Sequence, residues 1–235
     1  MKPSPNFDLL NANGLNMQAV FNLSDLPETI RTGLLEQTEI VSSFRQLILI
    51  GHGGRGMWEA VQASEFRENS DPIDSFSIDR VERWFAGQVP AADYEIIYPA
   101  SKCIVPLQSL GRLAGWHHTS PFRIGINQAW GSWFAYRVAA LADTDFAPTD
   151  RMQLASPCDS CVDKPCVSAC PAGLLACGDF SLKGCIDYRL VSESSCKARC
   201  LARLACPVAS EHRYSTEQIN YHYGRSMKTI EEYYR

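Results

Sequence analysis

The spacing of apolar and polar positions predicts helices and strands in alternation through the first 150 residues. Over residues 27–44, Ile30, Leu34 and Val41 fall on one face of a helix; Pro27 suits a first turn and Asp25 can cap it. The apolar run 47–50, preceded by Gln46, reads as a buried strand, and it ends in Gly51-His52-Gly53-Gly54-Arg55-Gly56. A second helix is expected over about residues 78–87, with Ile78, Val81 and Phe85 on one face. A strand follows at 94–98, then a helix over about 105–114 with Pro106 near its start. Residues 123–126 and 132–141 read as strands joined by a turn around Ala129-Trp130-Gly131. This alternation places the first half in the α/β class. Near the end, Ser215-Thr216-Glu217-Gln218 is a capping box opening a helix with Ile219, His222, Tyr223 and Met227, expected to pack back on the first domain.

Composition narrows the class. Apolar residues make up 46% of the 235, enough for a core, and charged residues 20%, too few for a disordered chain. The net charge of −4 argues against generic binding of polyanions, and nucleic acid is not the expected partner. The charge is uneven: residues 1–150 carry 11 basic and 17 acidic side chains (−6), residues 151–235 carry 11 and 9 (+2). The start, Met1-Lys2-Pro3-Ser4-Pro5-Asn6-Phe7, lacks the apolar core of a signal peptide, and no apolar run approaches a membrane span. A cytoplasmic location without membrane contact is therefore expected, where the ten cysteines are not expected to form disulfides.

Nine of those ten lie between residues 158 and 206. The first group reads Cys158-Asp-Ser-Cys161-Val-Asp-Lys-Pro-Cys166-Val-Ser-Ala-Cys170-Pro171; the second reads Cys196-Lys-Ala-Arg-Cys200, five residues, then Cys206-Pro207, with Cys185 between the groups. Closely spaced cysteines let one loop wrap a cubane cluster, and in two-cluster ferredoxins the cysteine before proline ligates the other cluster. Two [4Fe–4S] clusters are expected, one on Cys158, Cys161, Cys166 and Cys206, the other on Cys170, Cys185, Cys196 and Cys200. Cys177 is then a spare thiol. The alternative is two structural zinc sites of four thiolates each. Zinc sites usually show two separate C-x2-C knuckles, which this run lacks, although the gap from Cys161 to Cys166 is wider than in bacterial ferredoxins.

The glycine-rich loop 51–56 could approach a phosphate or a flat cofactor. No Gly-Lys-Ser/Thr follows it and no Gly-x-Ser-x-Gly elbow exists, so a strand-to-helix turn is the preferred reading, with His52 its one side chain able to touch a metal centre. His117 and His118 follow Gly115-Trp116 and are candidates for either structural or functional roles.

Leu113-Ala114-Gly115-Trp116, residues 124–127 and Gly131-Ser132-Trp133-Phe134 resemble the region preceding the clusters in epoxyqueuosine reductases. Members of that family reduce a modified tRNA base with cobalamin and two [4Fe–4S] clusters. The resemblance runs on through Ala140-Leu141-Ala142-Asp143-Thr144 and covers Gly184-Cys185-Ile186-Asp187-Tyr188, spanning roughly residues 100–207. Cobalamin-dependent reductive dehalogenases and the cobalamin-processing fold share this plan. The resemblance implies an α+β sandwich of the cobalamin-reductase type over residues 1–150, a ferredoxin-like two-cluster domain over 151–210, and a C-terminal helix over 211–235. It further implies that Gly131, Ser132, Trp133 and Phe134 line a corrinoid pocket, with His52 and Trp116 as further cofactor-binding candidates. The family's catalytic aspartate would fall near Ser101, where no aspartate stands, and its glycine-rich stretch is replaced by Trp116-His117-His118. Tyr98, Lys102, His117 and His118 are the candidate proton donors. The tRNA-gripping helical repeat domain is expected to be missing.

The expected function is thus an iron–sulfur oxidoreductase passing electrons to a cobalamin in the first domain, for reduction of a small molecule or corrinoid. An electron donor such as a flavodoxin or ferredoxin is implied. Two alternatives stand beside it: a cobalamin-reducing or cobalamin-processing protein, and a ferredoxin-type carrier whose first domain binds a protein partner or another cofactor.

Overall fold

The computed structural model describes residues 2–35, 44–99, 104–150, 154–176 and 180–234. The chain forms two units, residues 1–117 with 134–153, and residues 118–133 with 154–235. The boundary differs from the expected domain limits, because residues 118–133 leave the first unit for the second.

In the first unit, α1 (Asp8–Ala12) leads to β1 (Met17–Asn22), α2 (Glu28–Leu35) and β2 (Gln46–Gly53). Next come α3 (Gly56–Gln62), α4 (Pro72–Gln88), β3 (Tyr94–Tyr98) and α5 (Leu107–Leu113). The chain then passes through β4 (His118–Thr119) and β5 (Gly125–Ile126) of the second unit before returning in β6 (Phe134–Ala142). The main sheet has the order β1-β2-β6-β3 and every pairing is antiparallel. The class is mixed α/β.

The central position of β2 explains its apolar run, for all eight of its residues are buried. Leu47 and Leu49 share a core with Ile30 and Leu34 of α2 and Leu110 of α5. By alternation Ile48 and Ile50 point to the opposite face, where α3 packs on β2 and α4 packs on β6. At the mouth of β2 the buried Gln46 amide is fully used. Its nitrogen donates to Asn22 Oδ1 (2.9 Å) and the Phe146 carbonyl (2.8 Å), while its oxygen accepts from Thr144 Oγ1 (2.7 Å) and the Phe146 N–H (3.0 Å). A polar residue at a core position is tolerated because each group is paired.

The loop 51–56 is a strand-to-helix turn. Strand β2 continues through Gly53, Gly54 turns the chain at φ 74°, and α3 starts at Gly56. Three departures from the sequence pattern have local causes. Strand β1, not expected, lies at the sheet edge, and only some of its residues are buried. Helix α4 starts at Pro72, whose ring fits a first turn, ahead of the apolar face that begins at Ile78. Residues 123–126 and 132–141 do not form a hairpin: β5 pairs with β4, whereas β6 joins the main sheet. Most of the expected helix beyond Leu35 lies outside the described residues, as do Ser101, Lys102, Cys103 and Cys177.

The second unit holds α6 (Pro165–Ser168), α7 (Leu182–Leu190), α8 (Leu201–Ala205) and α9 (Thr216–Tyr233). Ser181 and Ser215 cap α7 and α9 by accepting from the N–H groups of Gly184 (3.0 Å) and Gln218 (3.1 Å). Within this unit α9 packs on α7 through Met227, Ile230 and Ile186, and its first turn joins Trp133 and Tyr214 through Ile219. No helix among the described residues is long and apolar enough to cross a membrane.

Candidate metal centre

Each cysteine group is opened by the same local device. The Cys158 N–H donates to Ser156 Oγ (3.3 Å) and the Cys196 N–H to Ser194 Oγ (3.2 Å), so a serine two residues earlier turns the chain into the thiol. Cys166 sits in α6, entered through Lys164 at φ 39°. Cys185 is on α7, and Cys200 and Cys206 flank α8 as its two caps. Helices α6 and α8 pack together, which brings Cys166 and Cys206 into one apolar cluster with Phe122, Ile126 and Leu175.

The eight described thiols are free, and those that bear on one another electrostatically are Cys158, Cys161, Cys166 and Cys206 on one side and Cys170, Cys185, Cys196 and Cys200 on the other. Burial holds the Cys158 and Cys166 thiols above their ordinary range, and Cys206 and Cys161 beside them push both further up. Cys206 is raised by burial and then by Cys161. In the other group Cys185 is raised by burial and by Cys200, Cys196 and Cys170, while Arg189 opposes this. Cys200 is raised by burial and by Cys196. All four thiols of this second group, Cys170, Cys185, Cys196 and Cys200, line one largely apolar cavity of about 350 Å3.

The sequence pattern did not single out the cationic wall of that cavity. Arg189 and Arg203 both line it and are 8% and 7% exposed. Arg189 donates to the carbonyls of Cys196 (3.2 Å), Lys197 (3.3 Å) and Tyr223 (3.3 Å) and to Ser226 Oγ (2.9 Å). Arg203 donates to the Ser132 carbonyl and hydroxyl, and its guanidinium lies over the rings of Trp133 (4.3 Å) and Tyr214 (5.1 Å). Arginines at charged helix ends are commonplace in sequences; only their burial makes these two distinctive.

Among the described residues no three His, Cys, Asp or Glu side chains are placed to hold a metal ion as they stand. A zinc site needs all four sulfurs about 2.3 Å from one centre. A four-iron cube asks less convergence, since each thiolate binds its own iron. The donor set of four thiols around an apolar cavity with buried cations fits a cube of net negative charge.

The corrinoid candidates are placed differently. His52 is fully buried in β2, and its Nδ1 accepts from Arg137 Nε (2.9 Å). Trp116 is half-buried and stacks on Tyr136 at 6.4 Å. Gly131 has φ 56°, and a Cβ there would stand 2.2 Å from the Val208 carbonyl oxygen, so its glycine is required by packing. Ser132 is buried on Arg203, Trp133 is buried between Arg203 and Tyr214, and Phe134 packs edge-on against Tyr136 at 6.0 Å. Each of the six is thus engaged within its own unit.

Of the candidate proton donors, His117 Nδ1 lies 3.0 Å from Tyr136 Oη, and burial raises the Tyr136 phenol well above its ordinary range. Burial also raises Tyr98, with Arg137 opposing it. His118 lies in β4, where its Nε2 is buried with no hydrogen-bond partner among the described residues.

No family model matches the chain, and no curated protein matches it. Solved structures share its fold. Epoxyqueuosine reductase from Bacillus subtilis matches with a TM-score of 0.54 at 10% identity, over 89% of this chain and 66% of that one. A catabolic reductive dehalogenase in complex with 3-bromo-4-hydroxybenzoic acid matches with a TM-score of 0.53 at 12% identity, over 93% of this chain and 33% of that one. The B12-trafficking protein CblC of C. elegans matches with a TM-score of 0.50 at 15% identity, over 96% of this chain and 91% of that one. The chain thus spans just under two thirds of the reductase and a third of the dehalogenase. At these identities the likeness is one of fold.

Proposed function

We propose that the protein is an iron–sulfur electron-transfer protein with two [4Fe–4S] clusters in its second unit and a corrinoid as electron acceptor, acting as a cobalamin-linked reductase. The observation that supports the first part is that four of the eight free thiols, Cys170, Cys185, Cys196 and Cys200, line a single largely apolar cavity. Cys158, Cys161, Cys166 and Cys206 would hold one cluster, and Cys170, Cys185, Cys196 and Cys200 the other. Clusters of this kind store and pass single electrons. The protein's own part is to exclude water with Phe122, Leu175 and Phe180, to fix the thiols through α6, α7 and α8, and to set local charge with Arg189 and Arg203.

The corrinoid part is supported by the shared fold, since one neighbour is described as a B12-trafficking protein and another by its B12-dependent dehalogenation. A flavodoxin or ferredoxin would serve as donor, and a small molecule or corrinoid as the final substrate; the cytoplasm is the proposed location.

The test is anaerobic reconstitution with iron and sulfide, followed by titration with cobalamin. About eight irons and eight sulfides per chain, with a retained corrinoid after gel filtration, are expected. Zinc in their place sinks the cluster assignment; clusters without a corrinoid band leave a ferredoxin-type carrier. A second reading, a protein that processes cobalamin for others, is favoured by the fold match to the trafficking protein over nearly the whole of both chains. Retained corrinoid without reduction of any small electrophile would select it.

A further inference from the structure

Two buried guanidinium groups face the cavity of the Cys170, Cys185, Cys196 and Cys200 group. Both are more than nine-tenths buried, and neither forms a salt bridge with a carboxylate among the described residues. Arg189 is held by four neutral acceptors, and Arg203 by Ser132, the Tyr223 hydroxyl and two aromatic faces. Neutral partners satisfy the N–H groups but leave the charge uncompensated. A buried charge without a counterion is expensive, so the cavity is built for an anion. Arg199 also lines it but is exposed, where solvent screens its charge.

Cys166 and Cys206 share the apolar cluster of Phe122, Ile126, Leu175 and Ala202 with Cys170 and Cys200, so the two groups differ in their charged neighbours and not in their apolar ones. Asp159 adds a negative charge beside Cys158, and Arg213 is the cation that bears on Cys206. The two sites therefore differ in the number of buried cations that line them.

We infer that Arg189 and Arg203 are positioning residues that set the reduction potential of the second site, making its cluster the easier of the two to reduce. The inference rests on the proposed cluster assignment and goes beyond it by ranking the two sites. On reduction, one electron from the donor turns the cluster with its four thiolates from a dianion into a trianion, with no bond made or broken. The cations favour the more negative form by Coulomb attraction, less screened than at the surface because both guanidinium groups are more than nine-tenths buried. Arg189 also fixes where that charge sits, because it holds the backbone at Cys196 and Lys197. Electrons would then rest on the second cluster, and the first would be the low-potential member.

The experiment is a redox titration of the reconstituted full chain, followed by electron paramagnetic resonance, with the signals assigned from Cys158→Ser and Cys185→Ser variants. In wild type the signal lost in Cys185→Ser is expected to be the one reduced first. Arg189→Gln should make that cluster harder to reduce by about tenfold or more in the equilibrium, about 59 mV for one electron. The other cluster should stay where it was. Arg189→Lys, which keeps the charge, should recover most of the shift. An unchanged potential in Arg189→Gln at full iron content overturns the inference, as do equal shifts at both clusters. Loss of the second cluster in both Arg189→Gln and Arg203→Gln overturns it too, by making the pair structural. A wild-type protein without two clusters instead removes the underlying assignment, and metal analysis shows this before any titration.

Discussion

Arg189 on α7 donates from Nε to the main-chain carbonyl of Cys196, 3.2 Å away, and so ties the helix carrying Cys185 to the loop carrying Cys196. The same guanidinium reaches Ser226 and the Tyr223 carbonyl on α9. One side chain thus holds three segments around one cavity, and two of these bear thiols.

The thiol groups should be separable. Cys185→Ser is expected to lower iron to about half of wild type and remove one of two magnetic signals, with Cys158→Ser removing the other. Iron and sulfide analysis checks this; simultaneous loss of both signals in each variant would show that the two sites do not form independently.

Gly131→Ala should destabilise the second unit. Its φ of 56° is left-handed, and the new methyl would meet the Val208 carbonyl oxygen at 2.2 Å. A loss of about 2 kcal/mol or more is expected in urea unfolding.

Gln46→Leu should destabilise the first unit by about 3 kcal/mol, because Asn22, Thr144 and both main-chain groups of Phe146 lose a buried partner. Ser215→Ala is the milder comparison. It removes only the cap of α9, worth about 1 kcal/mol.

Tyr136 carries a pH dependence. Burial raises its phenol in the folded chain above the ordinary value of 10.0. The folded protein therefore holds the proton more tightly than the unfolded chain. The contribution is fully present below the unfolded value and is lost as pH rises through the folded one. Tyr136→Phe should flatten the loss of thermal stability above pH 10, while costing stability at neutral pH through the lost His117 contact. Melting temperatures across pH 7 to about 11 test both effects; an unchanged alkaline slope would rule Tyr136 out as its cause.

Much of this was legible along the chain. The run 47–50 announced a strand buried on both faces, Tyr94–Tyr98 a strand, and Ser215 with Gln218 a helix start, because each signal is local and the structure adds only a few residues at the ends. The cysteines announced eight candidate ligands, since ligand spacing is written in sequence, and Cys170, Cys185, Cys196 and Cys200 line one cavity. Tertiary structure alone decided the rest. It placed α9 on α7 and split residues 123–141 between two sheets, because strand pairing depends on distant partners. It buried His52 on Arg137, and Ser132 and Trp133 on Arg203, pairings between residues far apart in sequence that no local motif displays. It also turned Arg189 and Arg203 from ordinary basic residues into buried charges facing a cavity. Charge is visible in a sequence; desolvation is a property of the folded neighbourhood, and it gives these two arginines their effect.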